Sequence, residues 1–496
     1  DMQRSIMKEL NHNKSKKDFF ELITINNITK VIKATSIEGG IKYSLATGNW
    51  GVKTNGKGKI KIGAAQVLNR LSYLSYLSHE RRLNCPSDKK KKNNKIVGPR
   101  KQHASQFGYI CPAETPEGAP VGLVKNMAMG CVITLQSNSA PVKEWVINRT
   151  GTIPLGFTSY TAVQDKCLRI VNGDLMGYHA NPVKFYHQFK HLRRCGKFNP
   201  YISINWDITN DEIHIFSDAG RLTRPIFIVD DNKLRIKEAH VARLRANDYD
   251  WNSLVMPSMD KVLQRMPLNW FKHQNLLDDT SEQTHSTARL KEFYQYSEYD
   301  IRIQGVVEFM DCEEVNNSMI AMLPQDLKEQ YTMNSDRSLP HQYITKYTHC
   351  EIQPGLMLGV LACVIPFPDH SQSPRNAYQS SMGKQAMSCY ATNYQKRLDT
   401  LGYIMNNLEK SVVTSRFGKY LHYSSLPVGM NAMVAIASYS GYNQEDSVIL
   451  NGHSVDLGFF RTTYYHVYKD EEKKIQSNGK EEKFCKPDPE YTKGIK

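Results

Sequence analysis

The residues best suited to chemistry are two adjacent acids, Glu445 and Asp446, in the segment AMVAIASYSGYNQEDSVIL. The pattern predicts an apolar strand, a Gly-Tyr-Asn turn that carries both carboxylates, and a second apolar strand. Mg²⁺ prefers oxygen ligands, and it keeps several waters and substrate phosphates when one or two carboxylates hold it. Adjacent acids in a turn are more often simply solvated. Two interpretations therefore stay open, a pair of metal ligands and a solvated turn.

A second group of candidate residues lies in PFPDHSQSPRNAYQSSMGKQAM, which contains Arg375, Lys384 and Gln385. The segment begins with turn residues and continues with residues that are compatible with a helix, so these side chains lie near a loop-to-helix junction. Helix-start N–H groups and a neighbouring guanidinium can bind the same anion. The junction is therefore a candidate phosphate site.

Two further basic segments come earlier in the chain. In QVLNRLSYLSYLSHERRL, the apolar residues Val67, Leu71, Leu74 and Leu77 recur at helical spacing. They predict a helix with a core-facing stripe, flanked by Arg70 and Arg81, which either contact a partner or are solvated. The following CPSDKKKKNNKIVGPRK is typical of a surface loop. Its lysine run is most often a solubilising or targeting patch.

The rest of the chain predicts a mixed α+β, multidomain fold. Short alternating segments such as IVNGDLMGY, YISINWD and RPIFIVDD predict strands between about residues 131 and 231. Between these strands, the segment from Pro182 to Arg194 is predicted to form a helix. Residues 260–343 are polar and irregular, as expected of an elaborated insertion. The apolar stretch Pro354 to Pro368 is too short to cross a membrane and reads as buried core.

Composition supports a globular protein with a polyanionic partner. The 496 residues include 64 Lys plus Arg against 49 Asp plus Glu, a net charge of +15, while 40% of residues are hydrophobic. These values exclude a largely disordered chain and favour nucleic acid as partner. The ten cysteines never form a Cys-x-x-Cys pair, which argues against a zinc ribbon. A Walker A pattern is absent from the sequence, which disfavours a P-loop nucleoside triphosphatase.

Six segments together resemble one family, the second-largest subunit of multisubunit DNA-directed RNA polymerases. They occur in the family's order: KYSLATGNW, AAQVLNRLSYLSYLSHERRLN, GYICPAETPEGAPVGLVKN, FSDAGRLTRPIFIVDD, IPFPDHSQSPRNAYQSSMGKQAM and SYSGYNQEDSVILN. The wordings SPRNAYQSSMGKQAM and GYNQEDS are similar to the eukaryotic, archaeal and large-DNA-virus form rather than to the bacterial one. The resemblance implies a nucleus for a cellular protein, and a virion or the host cytoplasm or nucleus for a viral one. The first residues include no apolar signal segment, so secretion is not expected.

The resemblance implies a two-metal nucleotidyl transfer and gives each candidate a role. Arg375 would approach the triphosphate of the incoming nucleotide, and Glu445 and Asp446 would lie near the second Mg²⁺, with Asp446 the better ligand. The implied contacts to template DNA or the RNA–DNA hybrid are Gln66, Arg70, Arg81, Arg82, Lys89, Lys90, Lys91, Lys92, Arg100, Lys384 and Gln385. The loops at about 48–62 and 86–99 would be fork loops.

The implied domains are 1–130 (end of the protrusion, and fork), 131–235 and 236–345 (two external domains), and 346–496 (the start of a β-barrel-like hybrid-binding domain). The Asn-Ala-Asp-Phe-Asp-Gly-Asp run that holds the first Mg²⁺ is absent, as expected if it lies on the largest subunit. We therefore expect activity only together with the largest and the smaller polymerase subunits, and a family zinc site outside this chain. The chain is expected to be a fragment or the product of a split gene. The alternative is a truncated, non-catalytic nucleic-acid-binding homologue.

Overall fold

The computed structural model describes residues 34–50, 61–85, 97–149, 151–157, 159, 166–256, 305–328, 347–472 and 481–487. Two compact units are distinguished, residues 1–69 and residues 70–496. The described α-helices are α1 (Ala34–Thr47), α2 (Tyr73–Glu80), α3 (Ala140–Arg149), α4 (Pro182–Arg194), α5 (Glu238–Arg245), α6 (Trp251–Val255), α7 (Cys312–Val315), α8 (Ser373–Gly383) and α9 (Gly452–Asp456).

The described strands are short and form several separate sheets. They are β1 (Asn49–Trp50), β2 (Lys61–Ile62), β3 (Arg82–Asn84), β4 (Val124–Asn126), β5 (Val132–Ile133), β6 (Cys167–Val171), β7 (Asp174–His179), β8 (Ser203–Asp207), β9 (Glu212–Phe216), β10 (Leu222–Asp230), β11 (Lys233–Leu234), β12 (Val307–Asp311), β13 (Ile320–Ala321), β14 (His349–Cys350), β15 (Leu401–Met405) and β16 (Thr462–His466).

In the first unit, α1 leads directly into the antiparallel pair β1–β2. Gly48 makes this junction with a φ of +69°, and a Cβ at this position would lie 2.2 Å from the carbonyl oxygen of Ala65. Glycine alone combines this backbone conformation with so close an approach.

A four-stranded sheet in the order β7-β6-β9-β8 packs against α4. The helix begins where the side chain of Asn181 accepts a hydrogen bond from the backbone N–H of Lys184, 2.9 Å away, with Pro182 in the first turn. Phe185 and Phe189 then face the sheet and contact Trp145 of α3. The sequence predictions of strands in this region and of a helix from Pro182 to Arg194 are confirmed.

A six-stranded sheet is organised around β10, which pairs with β5, β11, β12 and β14. The register places Ile226 opposite Glu308 and Phe227 opposite Val307. Every residue of β12 is buried, so this strand lies inside the unit. Burial of Glu308 within an apolar strand requires charged partners, because an isolated carboxylate is very costly to desolvate.

Those partners come from α4. The guanidinium of Arg193 pairs with Glu308 and with Glu314 of α7, the latter at 2.5 and 2.7 Å. Arg194 reaches the other oxygen of Glu308 at 2.8 Å, and Nε2 of His349 lies 2.9 Å from the same oxygen. This buried charge network fastens α4 to the six-stranded sheet.

Protonation of His349 is expected to destabilise the fold in mild acid. Burial lowers the pKa of His349 to about 4, although the hydrogen bond that its imidazole donates to Glu308 opposes that shift. Lys190 and Arg194 also disfavour a charged imidazole. In the unfolded chain the group titrates near 6.5, so the unfolded state binds more protons between pH 6.5 and 4. We expect this group to remove up to about 3 kcal/mol of stability as the pH falls through that window.

The check is the melting temperature against pH for the wild type and for His349→Gln. The variant should lose less stability between pH 6.5 and 4 than the wild type does. If the melting temperatures of both proteins fell in parallel with pH, the prediction that the buried imidazole of His349 is neutral would be wrong.

The helix predicted near residues 67–77 is shorter than its apolar stripe. It begins only at Tyr73, because Ser72 and Ser75 form a reciprocal capping box that fixes the helix start. Leu74 packs into a core cluster with Val360 and Leu361, as expected of a core-facing residue. Val67 lies before the helix and is 91% exposed, so its assignment to the stripe was wrong. The stretch 354–368 is core only in part: residues 359–363 are buried, whereas Phe367 is 66% exposed, and the stretch contains short 3₁₀ turns instead of the expected strand or helix.

The two strands predicted around Glu445 and Asp446 are not found. Residues 431–450 run without regular structure, and Met433, Ile436 and Val448 are largely exposed. A strand needs a hydrogen-bonding neighbour as well as apolar side chains, and none of the described segments pairs with this one. The mixed α/β prediction is confirmed. No sheet in the described ranges closes into a barrel, so the barrel-like architecture of 346–496 stays a prediction.

Candidate functional site

The N-terminal half of α8 presents Arg375 to solvent. The helix starts after a 3₁₀ turn, and the side-chain amide of Asn376 donates to the carbonyl of Pro368 at 2.7 Å, which fixes the buried face. Arg375 lies on the exposed side, where its guanidinium carbon is 5.6 Å from the ring centroid of Tyr378. Within the described ranges, no carboxylate pairs with Arg375. Its charge is thus available to a ligand at the positive end of the helix.

A cavity of about 490 Å³ opens beside this helix. One wall is the loop 115–118 together with Val121, and the other is formed by Pro374, Ala377 and Tyr378. Arg375 does not line the cavity itself, but it occupies the same helical turn as Pro374. The residues that follow the loop are held by Arg100, whose guanidinium donates to the carbonyls of Ala119 and Val121 at 2.7 and 2.8 Å.

A buried carboxylate connects the start of the loop 115–118 to the C-terminal end of α8. Glu114 immediately precedes the loop and is 2% exposed. Its Oε1 accepts a hydrogen bond from Ser78 Oγ at 2.5 Å and lies 3.2 Å from Nζ of Lys384, the residue that ends α8. Partial burial, with Arg82 and Lys384 nearby, keeps the pKa of His79 below its ordinary value.

The other candidate residues fall into different environments. Arg81 donates to the carbonyls of Ala128 and Cys131 at 2.6 and 3.0 Å, so its guanidinium holds a neighbouring loop. Arg70 lies 4.6 Å from the ring centroid of Tyr76.

Gln385 and Gln66 are exposed, and Arg82 is partly buried in β3. The lysines Lys89 to Lys92 lie outside the described residues. Every one of these nucleic-acid contacts stays a prediction.

Glu445 and Asp446 lie in an exposed turn, and Glu445 has a φ of +53°. Asn443 shapes the turn by donating to the carbonyl of Ala437 at 2.7 Å. No ion pair or hydrogen bond in the described ranges connects either acid to α8 or to the cavity. Both carboxylates therefore have free oxygens for a cation. The described residues contain no cluster of three His, Cys, Asp or Glu that could hold a metal ion.

Sequence reasoning missed Glu114, Ser78 and Tyr378. Glu114 stands in a Pro/Gly-rich loop that suggests solvent exposure, and its partners are 36 and 270 positions away in the sequence. Of these three residues, only Tyr378 could have been predicted from spacing, because it lies three positions after Arg375 and therefore on the same face of the helix.

Four family models match successive parts of the chain. They are RNA polymerase Rpb2 domain 3 at residues 66–133, domain 4 at 170–230, domain 5 at 300–354 and domain 6 at 361–496. The DNA-directed RNA polymerase II subunit 2 of Arabidopsis thaliana is 41% identical over 475 residues, which cover 95% of this chain and 35% of that protein. This chain belongs to the family of second-largest RNA polymerase subunits.

Relatives in this family also include the DNA-directed RNA polymerase subunit Rpo2 of Sulfolobus acidocaldarius, 32% identical, and subunit 2 of Acanthamoeba polyphaga mimivirus, 31% identical. Each match covers 93% of this chain and 35% of the relative. The expected similarity to eukaryotic, archaeal and viral forms is confirmed. The chain spans about a third of the length of the curated relatives it matches. Among the described helices, none has the length and apolar character that crossing a bilayer requires.

Membership of the family relates the structural features to its domains. The cavity lies between a loop in the segment matched by domain 3 and a helix in the segment matched by domain 6. The buried charge network joins α4, in the domain 4 match, to Glu308 and Glu314 in the domain 5 match. The domain boundaries expected from the sequence stay predictions.

Proposed function

We propose that this chain is a catalytic-core part of a DNA-directed RNA polymerase and contributes to template-directed nucleotidyl transfer. In that reaction the 3′-hydroxyl of the RNA attacks the α-phosphate of an incoming nucleoside triphosphate, and pyrophosphate leaves. The observation that carries the proposal is the exposed Arg375 at the N-terminus of α8, beside an open cavity and without a carboxylate partner among the described residues. A triphosphate is the anion that this arrangement suits, because guanidinium groups bind phosphate oxygens with two parallel hydrogen bonds.

Arg375 would bind and orient the triphosphate, while Tyr378 and the loop 115–118 would limit where the nucleotide can lie. Correct placement of the α-phosphate relative to the attacking hydroxyl is itself a large part of catalysis. Mg²⁺, when bound, would supply charge neutralisation and Lewis-acid polarisation of the phosphates. Asp446, with Glu445, would hold the nucleotide-borne ion from this chain's side.

The proposal requires partners. Two adjacent acids cannot complete an octahedral shell for Mg²⁺, which needs six oxygen ligands. The remaining ligands would come from the triphosphate and from the largest subunit. We therefore place the chain in a complex with the largest and smaller polymerase subunits, template DNA and the RNA–DNA hybrid. The zinc site expected for the family would lie outside this chain.

The test is RNA extension on a preformed RNA–DNA scaffold by an assembled polymerase that carries Asp446→Asn. We expect nucleotide addition to slow by about tenfold or more, because one charge-assisted contact is worth about 1.5–3 kcal/mol. Higher Mg²⁺ concentrations should partly restore the rate, while scaffold affinity should not change. Glu445→Gln should have a smaller effect in the same direction. Wild-type rates in both variants would refute the metal-holding role, and a wild-type complex without extension activity would favour the non-catalytic alternative.

A further inference from the structure

The ion pair between Glu114 and Lys384 has a geometry that a simple surface contact lacks. The side chain of Glu114 is 1% exposed and that of Lys384 is 15% exposed. The carboxylate of Glu114 accepts a hydrogen bond from the hydroxyl of Ser78 in α2. Its backbone carbonyl accepts a hydrogen bond from the side-chain amide of Asn126 in β4, 2.9 Å away. Glu114 is therefore fixed by two elements before it meets α8.

Glycine at position 359 makes room for this carboxylate. A Cβ at Gly359 would lie 2.4 Å from Oε2 of Glu114 and 3.1 Å from Cβ of Cys111. That oxygen is buried and has no hydrogen-bond partner among the residues that the structure describes. A carboxylate with one unpaired buried oxygen is poorly explained as a stabilising element, since replacing a buried ion pair by apolar residues is often neutral or favourable. Setting the relative position of two segments is a better-attested role for such pairs.

The pair lies at the opposite end of α8 from Arg375. Lys384 lies nine positions after Arg375, which corresponds to about 13 Å along a helix. Glu114 directly precedes the loop 115–118 that forms the facing cavity wall. One contact thus connects the far end of the helix to the base of the loop. A shift of the helix end would change both the width of the cavity and the position of the guanidinium.

We propose that Glu114 is a positioning residue that holds α8 through Lys384 and thereby sets the distance between the two walls of the nucleotide cavity. This inference depends on the proposed polymerase function. It gives Lys384 an internal partner in addition to the predicted contact with the hybrid. The two roles make different predictions for Glu114, because Glu114 is buried and can affect nucleotide addition only through its neighbours.

The experiment measures single-nucleotide addition by the assembled polymerase, with separate determination of the maximal rate and of the nucleotide concentration at half-maximal rate. We expect Glu114→Gln and Lys384→Met each to lower the maximal rate by about ten- to a hundredfold, because small misplacements of reacting groups have effects of that size. The maximal rate of the double variant should be no lower than that of the more impaired single variant, because the effects of substitutions at two coupled residues do not add. Lys384→Arg, which keeps the charge, should recover most of the rate.

Gly359→Ala provides a second test that leaves both charges in place. The added methyl group displaces the carboxylate of Glu114, so the same loss of maximal rate is expected. A direct readout is the distribution of distances between spin labels at residues 119 and 379, which are both exposed. This distribution should broaden in Glu114→Gln and in Gly359→Ala. Melting temperatures of all variants identify any that merely fail to fold, and the label distances remain informative in the folded variants.

A contact of Lys384 with the hybrid alone predicts other results. Glu114→Gln would then leave the rate unchanged, and Lys384→Met would reduce the salt dependence of scaffold binding by about one phosphate contact. That outcome would overturn the positioning role. If Arg375→Ala impairs addition while Glu114→Gln and Gly359→Ala do not, only this inference fails. If Arg375→Ala has no effect either, the proposed function fails first.

Discussion

Replacing Arg375 by alanine is expected to lower the rate of nucleotide addition by about ten- to a hundredfold in an assembled polymerase that carries this chain. Hydrogen bonds between charged groups are worth about 1.5–3 kcal/mol each, which corresponds to that range. The guanidinium is exposed, unpaired within the described ranges, and lies beside the cavity at the positive end of α8. Its removal should therefore act on the bound triphosphate without disturbing the fold.

The measurement is extension of a labelled RNA by one nucleotide, together with scaffold affinity. Arg375→Lys should give an intermediate rate, because lysine keeps the charge but loses the planar, two-pronged geometry. Arg245→Ala is a matched control, since Arg245 is also an exposed arginine on a helix but lies in α5. Equal rates for Arg375→Ala and Arg245→Ala would show that Arg375 does not contact the nucleotide.

Replacing Arg193 by methionine is expected to destabilise the folded chain by about 3–5 kcal/mol. Arg193 is 1% exposed and pairs with Glu308 and Glu314, which are also buried. Burial alone would raise the pKa of Glu308, but Arg194 and Arg193 hold it well below its ordinary value. Without Arg193, the cation that remains near Glu314 within the described ranges is Lys190, 3.4 Å away, and Glu308 would lose one of its cations.

Chemical denaturation of the chain measures this effect. Arg397→Ala is the control, because the pair of Arg397 with Asp399 is partly exposed to solvent and should contribute far less to stability. Adding Glu308→Gln and Glu314→Gln to Arg193→Met should recover part of the loss, since the uncompensated charges are then removed as well. If Arg193→Met cost no more than Arg397→Ala, the network would contribute little to stability.

Local patterns predicted several elements correctly. The helix from Pro182 to Arg194 follows from Asn181 as N-cap, from proline in the first turn and from the spacing of Phe185 and Phe189. These signals act over a few residues and do not depend on the rest of the fold. The strands between residues 167 and 230 follow from alternation and turn residues for the same reason.

Other predictions failed or were impossible because they depended on distant residues. The apolar segments around Glu445 and Asp446 are not strands, since none of the described segments pairs with them. Arg81, assigned to nucleic acid, donates to backbone carbonyls nearly fifty positions away. A contact between the remaining donors of Arg81 and an RNA–DNA hybrid stays a prediction.

The sequence by itself determined the family, the mixed α/β class and the placement of Arg375 at a helix start, because these depend on residue order and on short-range periodicity. The tertiary structure alone decided which charges are committed inside the protein. Arg193 meets Glu308 across 115 positions and Lys384 meets Glu114 across 270, and neither pairing has a local signature. A charge count of +15 treats all of these cations alike. Burial and proximity separate the cations that hold the fold from those, such as Arg375, that have no carboxylate partner among the described residues.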